Sequence, residues 1–232
     1  MGKKRAQKIG KSGMKMKTSK GEIFTLKRHI GGGAFGSVWT VFEYPNHVLK
    51  MEPIKSGALF SEQHFYQRSA MVKPEIKLIP KYLSFGVDRV EGLRFIVIER
   101  FDSDIKKLNV HMKNRLAMKV ETSLEDIHRS GFTHGDIKDD NIFMSVVLDP
   151  NGYQDQRIVL GDFSLTKKFP TKDQLEEIKK PHGNGTRLFM SIDSHKGMIN
   201  TRSSDYQNWV FWLVHMFFGD LPWAKLSNPD EI

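Results

Sequence analysis

The 232-residue chain has no cysteine, so neither a disulfide framework nor a thiolate metal site is open to it. That absence fits a reducing compartment, and an intracellular protein of the cytoplasm or nucleus is expected. Long apolar runs are missing too. The greasiest, Trp209 to Phe218, is ten residues containing His215, about half a bilayer span, so no membrane role is expected. No internal repeat is present, which argues against a solenoid or propeller. The first twenty residues hold no acid, and they lack the apolar stretch of a secretory signal. Ala6 stands where a myristoylation pattern wants Ser or Thr. Gly10-Lys11-Ser12 lacks the earlier glycine of a phosphate loop, because that position is Arg5.

What is present is a globular composition: 39% apolar residues, 16 Phe, 4 Trp and 27% charged residues. The net charge of +9 suggests a polyanion partner until it is located. Eight bases (Lys3, Lys4, Arg5, Lys8, Lys11, Lys15, Lys17 and Lys20) fall in residues 1–20, leaving 28 bases against 27 acids in the remainder. The basic character therefore belongs to one end. Residues 1–20 are expected to form a solvated, disordered tail; the alternative is an arm for nucleic acid, another polyanion or nuclear import.

Beyond the tail, β-rich stretches at residues 23–30, 37–43 and 47–50 predict three antiparallel strands, with a turn at Tyr44-Pro45-Asn46. Residues 58–68 read as a helix and 93–100 as a buried strand. Met112, Leu116, Val120, Leu124 and Ile127 form one apolar helical face closed by Gly131. Short strands at 142–147 and 157–160 precede a polar segment from about Lys167 to Gly185. A helix buried all round is expected near 205–218. The fold class is α+β, with an antiparallel β-rich part over 21–100 and a mainly helical part over 101–232, dividing near Arg100–Lys106.

Four clusters carry chemistry. The first is Gly31-Gly32-Gly33-Ala34-Phe35-Gly36, followed by Ser37 and Val38 in residues that favour a strand rather than a helix. A glycine loop between two strands argues against a dinucleotide turn and suits a flap over phosphates. A plain hairpin turn is the alternative, though it explains one or two glycines rather than four in six positions. The second is Lys50, fourteen residues after Gly36, with Glu62 on the following helix. The third is His134-Gly135-Asp136-Ile137-Lys138-Asp139-Asp140-Asn141, in which Asp136 and Asn141 stand five apart. The fourth is Asp162-Phe163-Ser164, 26 residues after Asp136.

In this order and spacing, residues 22–223 resemble a eukaryotic-type protein kinase domain of the casein kinase group, in its vaccinia-related kinase branch, which includes poxviral members. Lys50-Met51-Glu52-Pro53, Leu59-Phe60-Ser61-Glu62-Gln63, Ser191-Ile192-Asp193-Ser194-His195-Lys196-Gly197 and Leu221-Pro222-Trp223 resemble that branch as well.

The resemblance implies a two-lobed kinase fold and a serine/threonine protein kinase that uses ATP with Mg²⁺, or Mn²⁺, on protein substrates. Ile30, Gly31, Gly32, Gly33, Ala34, Phe35, Gly36, Ser37 and Val38 would cover the nucleotide. Lys50, oriented by Glu62, would grip its phosphates. Glu99 and Phe101, after a gatekeeper Ile98, would receive adenine through backbone groups. Asn141 and Asp162 would hold the metal. Asp136 would accept the substrate proton and Lys138 would steady the γ-phosphate. Asp205 would hold the catalytic loop, Thr186 would contact Asp136, and His134 would be scaffold.

Three departures qualify that pattern. Gly135 replaces the arginine that pairs with a phosphorylated activation loop, implying activity without loop phosphorylation. Ser164 replaces a glycine after Asp-Phe. Kinase domains of this family continue through further helices after Leu-Pro-Trp, so the short helical part implies low stability, a partner that caps it, or a truncated product. A non-catalytic kinase-fold decoy is the competing reading; the presence of Lys50, Asp136, Asn141 and Asp162 favours the enzyme.

Overall fold

A computed structural model describes residues 8–32, 36–72, 76–101, 109–148, 154–172 and 185–226. The chain forms two compact units: one comprises residues up to 66 together with 80–101, the other 67–79 and 102 onward. It therefore crosses between units three times, where one crossing near Arg100–Lys106 was expected.

The first unit is a six-stranded antiparallel sheet with one helix. The strands are β1 (Lys15–Lys17), β2 (Ile23–Gly32), β3 (Ser37–Val41), β4 (His47–Pro53), β5 (Tyr82–Asp88) and β6 (Leu93–Glu99), in the order β1-β2-β3-β4-β6-β5. Helix α1 (Ala58–Ser69) follows β4. Alternation along the strands turns Met16, Phe24, Leu26, Trp39, Val41, Leu49, Met51, Phe95 and Val97 into one core. The Ser19 amide donates to the Phe85 carbonyl at 2.9 Å, which brings the segment after β1 against β5, so the sheet curls round that core.

The expected disordered tail is corrected from residue 8 onward; residues 1–7 lie outside the described residues. Met16 pairs with Phe24 across β1 and β2 and is wholly buried, while Lys15 and Lys17 on either side are exposed. Burying a methionine of this kind stabilises by about 1.5–3 kcal/mol. The Gly13 amide bonds the Leu26 carbonyl and the Leu26 amide bonds the Met14 carbonyl. The lysines drew attention to charge, whereas the period-two pattern Lys-Met-Lys is that of a half-buried strand.

In the second unit, α2 (Val110–Arg129) buries Leu116, Val120, Leu124 and Ile127. Asn109 caps it, its side-chain oxygen accepting from the Met112 amide at 2.9 Å. Two short ladders follow: β7 (Phe132–Thr133) pairs with β10 (Lys167–Lys168), and β8 (Ile142–Leu148) pairs with β9 (Gln154–Leu160). The short helix α3 (Ile192–His195) precedes α4 (Arg202–Phe218), which opens with a capping box between Thr201 and Ser204.

The expectation that α4 is buried all round is also corrected. Ser204, Asp205, Asn208 and Trp212 are buried, but Val210, Val214 and Phe218 are exposed, Phe218 by 86%. A groove of about 590 Å³ runs between α2 and α4, lined by Met118, Leu213, Phe217 and neighbours. Composition alone does not say which side of an apolar helix has a neighbour to pack on.

Candidate active site

In the first unit the glycine segment begins at the end of β2 and ends just before β3. A Cβ on Gly32 would lie 2.4 Å from the Gly36 carbonyl oxygen, and one on Gly36 would lie 2.3 Å from that of Met51. Both distances are impossible, so these two glycines are required by the close approach of the backbones. Gly31 has open space around it. Gly33, Ala34 and Phe35 lie outside the described residues. Ile30 is exposed by 42% and Val38 is half-buried.

Across the ladder Val38 pairs with Lys50 and Ser37 with Met51, so β3 sets the position of the lysine's strand directly. Lys50 Nζ lies 2.6 Å from Glu62 Oε2, and Glu62 is fully buried. Glu52, two residues after Lys50, also takes part. Its carboxylate accepts from the Leu59 amide at 2.8 Å, capping the first turn of α1 and fixing the helix that carries Glu62. The signal was the position of Glu52 two residues after Lys50, on the same face of an alternating strand. At the expected adenine contact, the Glu99 amide donates to Lys81 and the Arg100 amide to Asn46, so neither N–H is open to a ligand. Ile98 pairs with Val48, and Phe101 closes this unit's segment.

In the second unit four donors converge on Asp136. Thr186 supplies its amide at 2.8 Å and its hydroxyl at 2.7 Å to Oδ1. Lys138 Nζ lies 2.6 Å from Oδ2, and Asn141 Nδ2 donates to Oδ2 at 3.2 Å and to the Asp136 carbonyl at 2.7 Å. Asn141 sits in a single 3₁₀ turn, Asp139–Asn141, that brings it back toward Asp136. Both of these Nδ2 bonds go to Asp136, so Asn141 Oδ1 takes no part in them.

The loop is held from beneath by Asp205. This buried carboxylate accepts from the amides of His134 and Gly135, both at 2.8 Å, and lies 2.8 Å from His128 Nε2. His128 belongs to none of the four sequence clusters. It ends the apolar face of α2 and was legible only as a polar residue in a core position. His134 accepts the Asp136 amide at Nδ1 and bonds the Gly161 carbonyl from Nε2, which requires a neutral ring protonated at Nε2. Burial holds its pKa below the ordinary histidine value, against the opposing pull of Asp205, Gly161, Asp136 and Asp162. The scaffold expectation for His134 agrees with this geometry.

Gly135 has φ 85°, and a Cβ there would lie 2.8 Å from Asn200 Nδ2. Any side chain would meet both an unfavourable backbone and a neighbour. Asp162 is the one non-glycine among the described residues with a left-handed backbone, φ 59° and ψ 77°. Such strain persists where the surroundings enforce it, often at functional positions. Beside it Phe163 is fully buried, its ring edge-on to His134 at 5.4 Å. Ser164 continues the same turn, its amide bonding Asp162 Oδ1 at 3.4 Å.

Asn141 and Asp162 offer one amide oxygen and one carboxylate, a donor set that fits Mg²⁺. Among the described residues no cluster of three or more His, Cys, Asp or Glu could hold a metal by itself. Mg²⁺ does not require one, because it takes one or two protein oxygens and completes its shell with phosphate and water. Of the segment 167–185, residues 173–184 lie outside the described residues.

No protein-family profile matches the chain. Individual relatives do. The probable serine/threonine-protein kinase FPV212 of Fowlpox virus is 31% identical over 89% of this chain and 74% of its own length. The B1 kinase of Vaccinia virus (strain Western Reserve) is 31% identical over 86% of this chain and 72% of its own. Human serine/threonine-protein kinase VRK2 is 32% identical over 90% of this chain and 46% of its own. The solved structure of vaccinia related kinase 3 superposes with a TM-score of 0.79 at 23% identity, covering 97% of this chain and 75% of that one, which shows the kinase fold. On sequence and fold together, the chain belongs to the protein kinases of the vaccinia-related and poxviral B1 kinase branch.

Proposed function

We propose that the chain is a serine/threonine protein kinase that transfers the γ-phosphate of ATP to protein hydroxyls, working inside the cell in cytoplasm or nucleus. The carrying observation is the setting of Asp136, whose two oxygens are fixed by Thr186, Lys138 and Asn141. Phosphoryl transfer asks the protein mainly for positioning and for charge neutralisation.

In the first unit, the backbone around Gly31–Gly36 covers the phosphates, and Lys50, aligned by Glu62, binds them. In the second, Asp136 orients the attacking hydroxyl and takes its proton at a carboxylate oxygen. Lys138, two residues on, neutralises charge on the phosphoryl group in transit. Asn141 and Asp162 would hold Mg²⁺, which neutralises the β- and γ-phosphate oxygens when bound.

Transfer of radiolabelled phosphate from ATP–Mg²⁺ to casein or to the chain itself tests this, with Asp136→Asn as control. Wild-type signal that falls at least a hundredfold in the variant supports the enzyme. Equal signals from two folded, ATP-binding proteins support the decoy reading instead.

A further inference from the structure

The basic N-terminal segment takes no part in the chemistry above, yet it touches the strand that ends the glycine loop. The Ile9 amide donates to Ser37 Oγ at 2.8 Å, and Trp39 Nε1 donates to the Ile9 carbonyl at 2.8 Å. One residue thus holds β3 at two positions, i and i+2, on a single face. Lys8 Nζ lies 5.1 Å from the centre of the Trp39 ring, and a Cβ on Gly10 would meet Leu26 at 3.0 Å, so the segment lies flush on the sheet. Ser37 and Trp39 are each 1% exposed. With its hydroxyl turned to Ile9, Ser37 presents no side chain to a nucleotide. Val38 points to the opposite face and stands across the ladder from Lys50.

We infer that Ile9 and Ser37 form a positioning clip that fixes the C-terminal end of the glycine loop, and through it the Val38–Lys50 row, for nucleotide binding. The clip rests on the kinase reading for its purpose but not for its existence. Because its two bonds act behind the loop, its loss loosens the loop without removing any group that touches the reacting atoms. Ser37 is thereby reassigned from a nucleotide contact to a positioning residue.

The test is a double-mutant cycle in the full chain. Ile9→Pro deletes the donor and keeps the carbonyl that Trp39 uses; Ser37→Ala deletes the acceptor; Ser37→Thr restores a hydroxyl. Hydrogen exchange over residues 30–41 of the nucleotide-free protein is expected to rise in Ile9→Pro and in Ser37→Ala, and to return toward wild type in Ser37→Thr. With ATP and casein, each single variant is expected to raise KM for ATP by roughly three- to tenfold, the range of one hydrogen bond, with kcat within about twofold. The double variant is expected to match the singles rather than multiply them. Unchanged exchange in both single variants overturns the clip, as do multiplicative KM effects. Should the wild type bind no trinitrophenyl-ATP, the kinase reading fails, and the exchange data still decide the clip.

Discussion

Replacing Asp205 by Asn removes one charge and one acceptor from a fully buried position that three donors share. Two orientations are open to the amide. With its oxygen at Oδ2 it keeps the His134 amide and His128 and loses only Gly135; the other way it loses two donors. The cheaper orientation sets the cost. One orphaned buried donor costs about 1–3 kcal/mol, and two surviving bonds become neutral rather than charge-assisted, each weaker by about 1 kcal/mol. The sum is about 3–5 kcal/mol. For a chain of this length each kcal/mol lowers the midpoint by about 2–4 °C, so a fall of roughly 6–20 °C is expected by calorimetry or circular dichroism. Asp205→Ala, which orphans all three donors, is expected to fall further. Catalysis in Asp205→Asn is expected to drop at temperatures where the variant is still folded, because the amides of His134 and Gly135 adjoin Asp136. A midpoint within about 2 °C of wild type would refute the reasoning and imply that water or a rearranged loop satisfies the donors.

Other expectations follow from the same geometry. Thr186→Val keeps the amide bond to Asp136 and deletes the hydroxyl bond, so kcat is expected to fall about tenfold, the value of one charge-assisted bond, with KM for ATP little changed in steady-state kinetics. Lys50→Met leaves Glu62 buried without its cation and is expected to cost about 3–5 kcal/mol in denaturant unfolding, whereas Lys50→Met combined with Glu62→Gln is expected to regain part of it. Gly36→Ala is expected to lower the thermal midpoint by several degrees because its Cβ meets the Met51 carbonyl, while Gly31→Ala, with open space, stays within about 2 °C. Burial depresses the pKa of His134, so the unfolded chain takes up that proton first as pH falls. Its contribution to stability is therefore full above the unfolded value of about 6.5 and is lost below it; His134→Gln is expected to flatten the fall in unfolding free energy between about pH 7 and about pH 5.

The candidate site was legible where chemistry imposes both residue type and spacing. Lys50 and Glu62 stand in the ion pair that their motif order implied, and Asp136, Lys138 and Asn141 meet because the loop that carries them is short enough for spacing to imply contact. Glu52, His128 and Asp139 were not legible. Each acts through a partner outside its own motif: Glu52 on the Leu59 amide of α1, His128 on Asp205, Asp139 accepting from Trp212 Nε1 at 2.7 Å. Polar residues of this sort read as surface until burial shows that each needs a partner.

By itself the sequence determined the strands beginning at Ile23, Ser37 and His47, the helical face of Leu116, Val120, Leu124 and Ile127, the glycines before Ser37 and the kinase branch, because periodicity and motif chemistry are local properties. The tertiary structure alone decided that Met16 is core and its lysine neighbours are surface, that α4 keeps an open face, and that Ile9 reaches Ser37. Those three facts depend on which surface lies opposite a segment. Net charge and mean hydropathy average that information away, and only packing restores it.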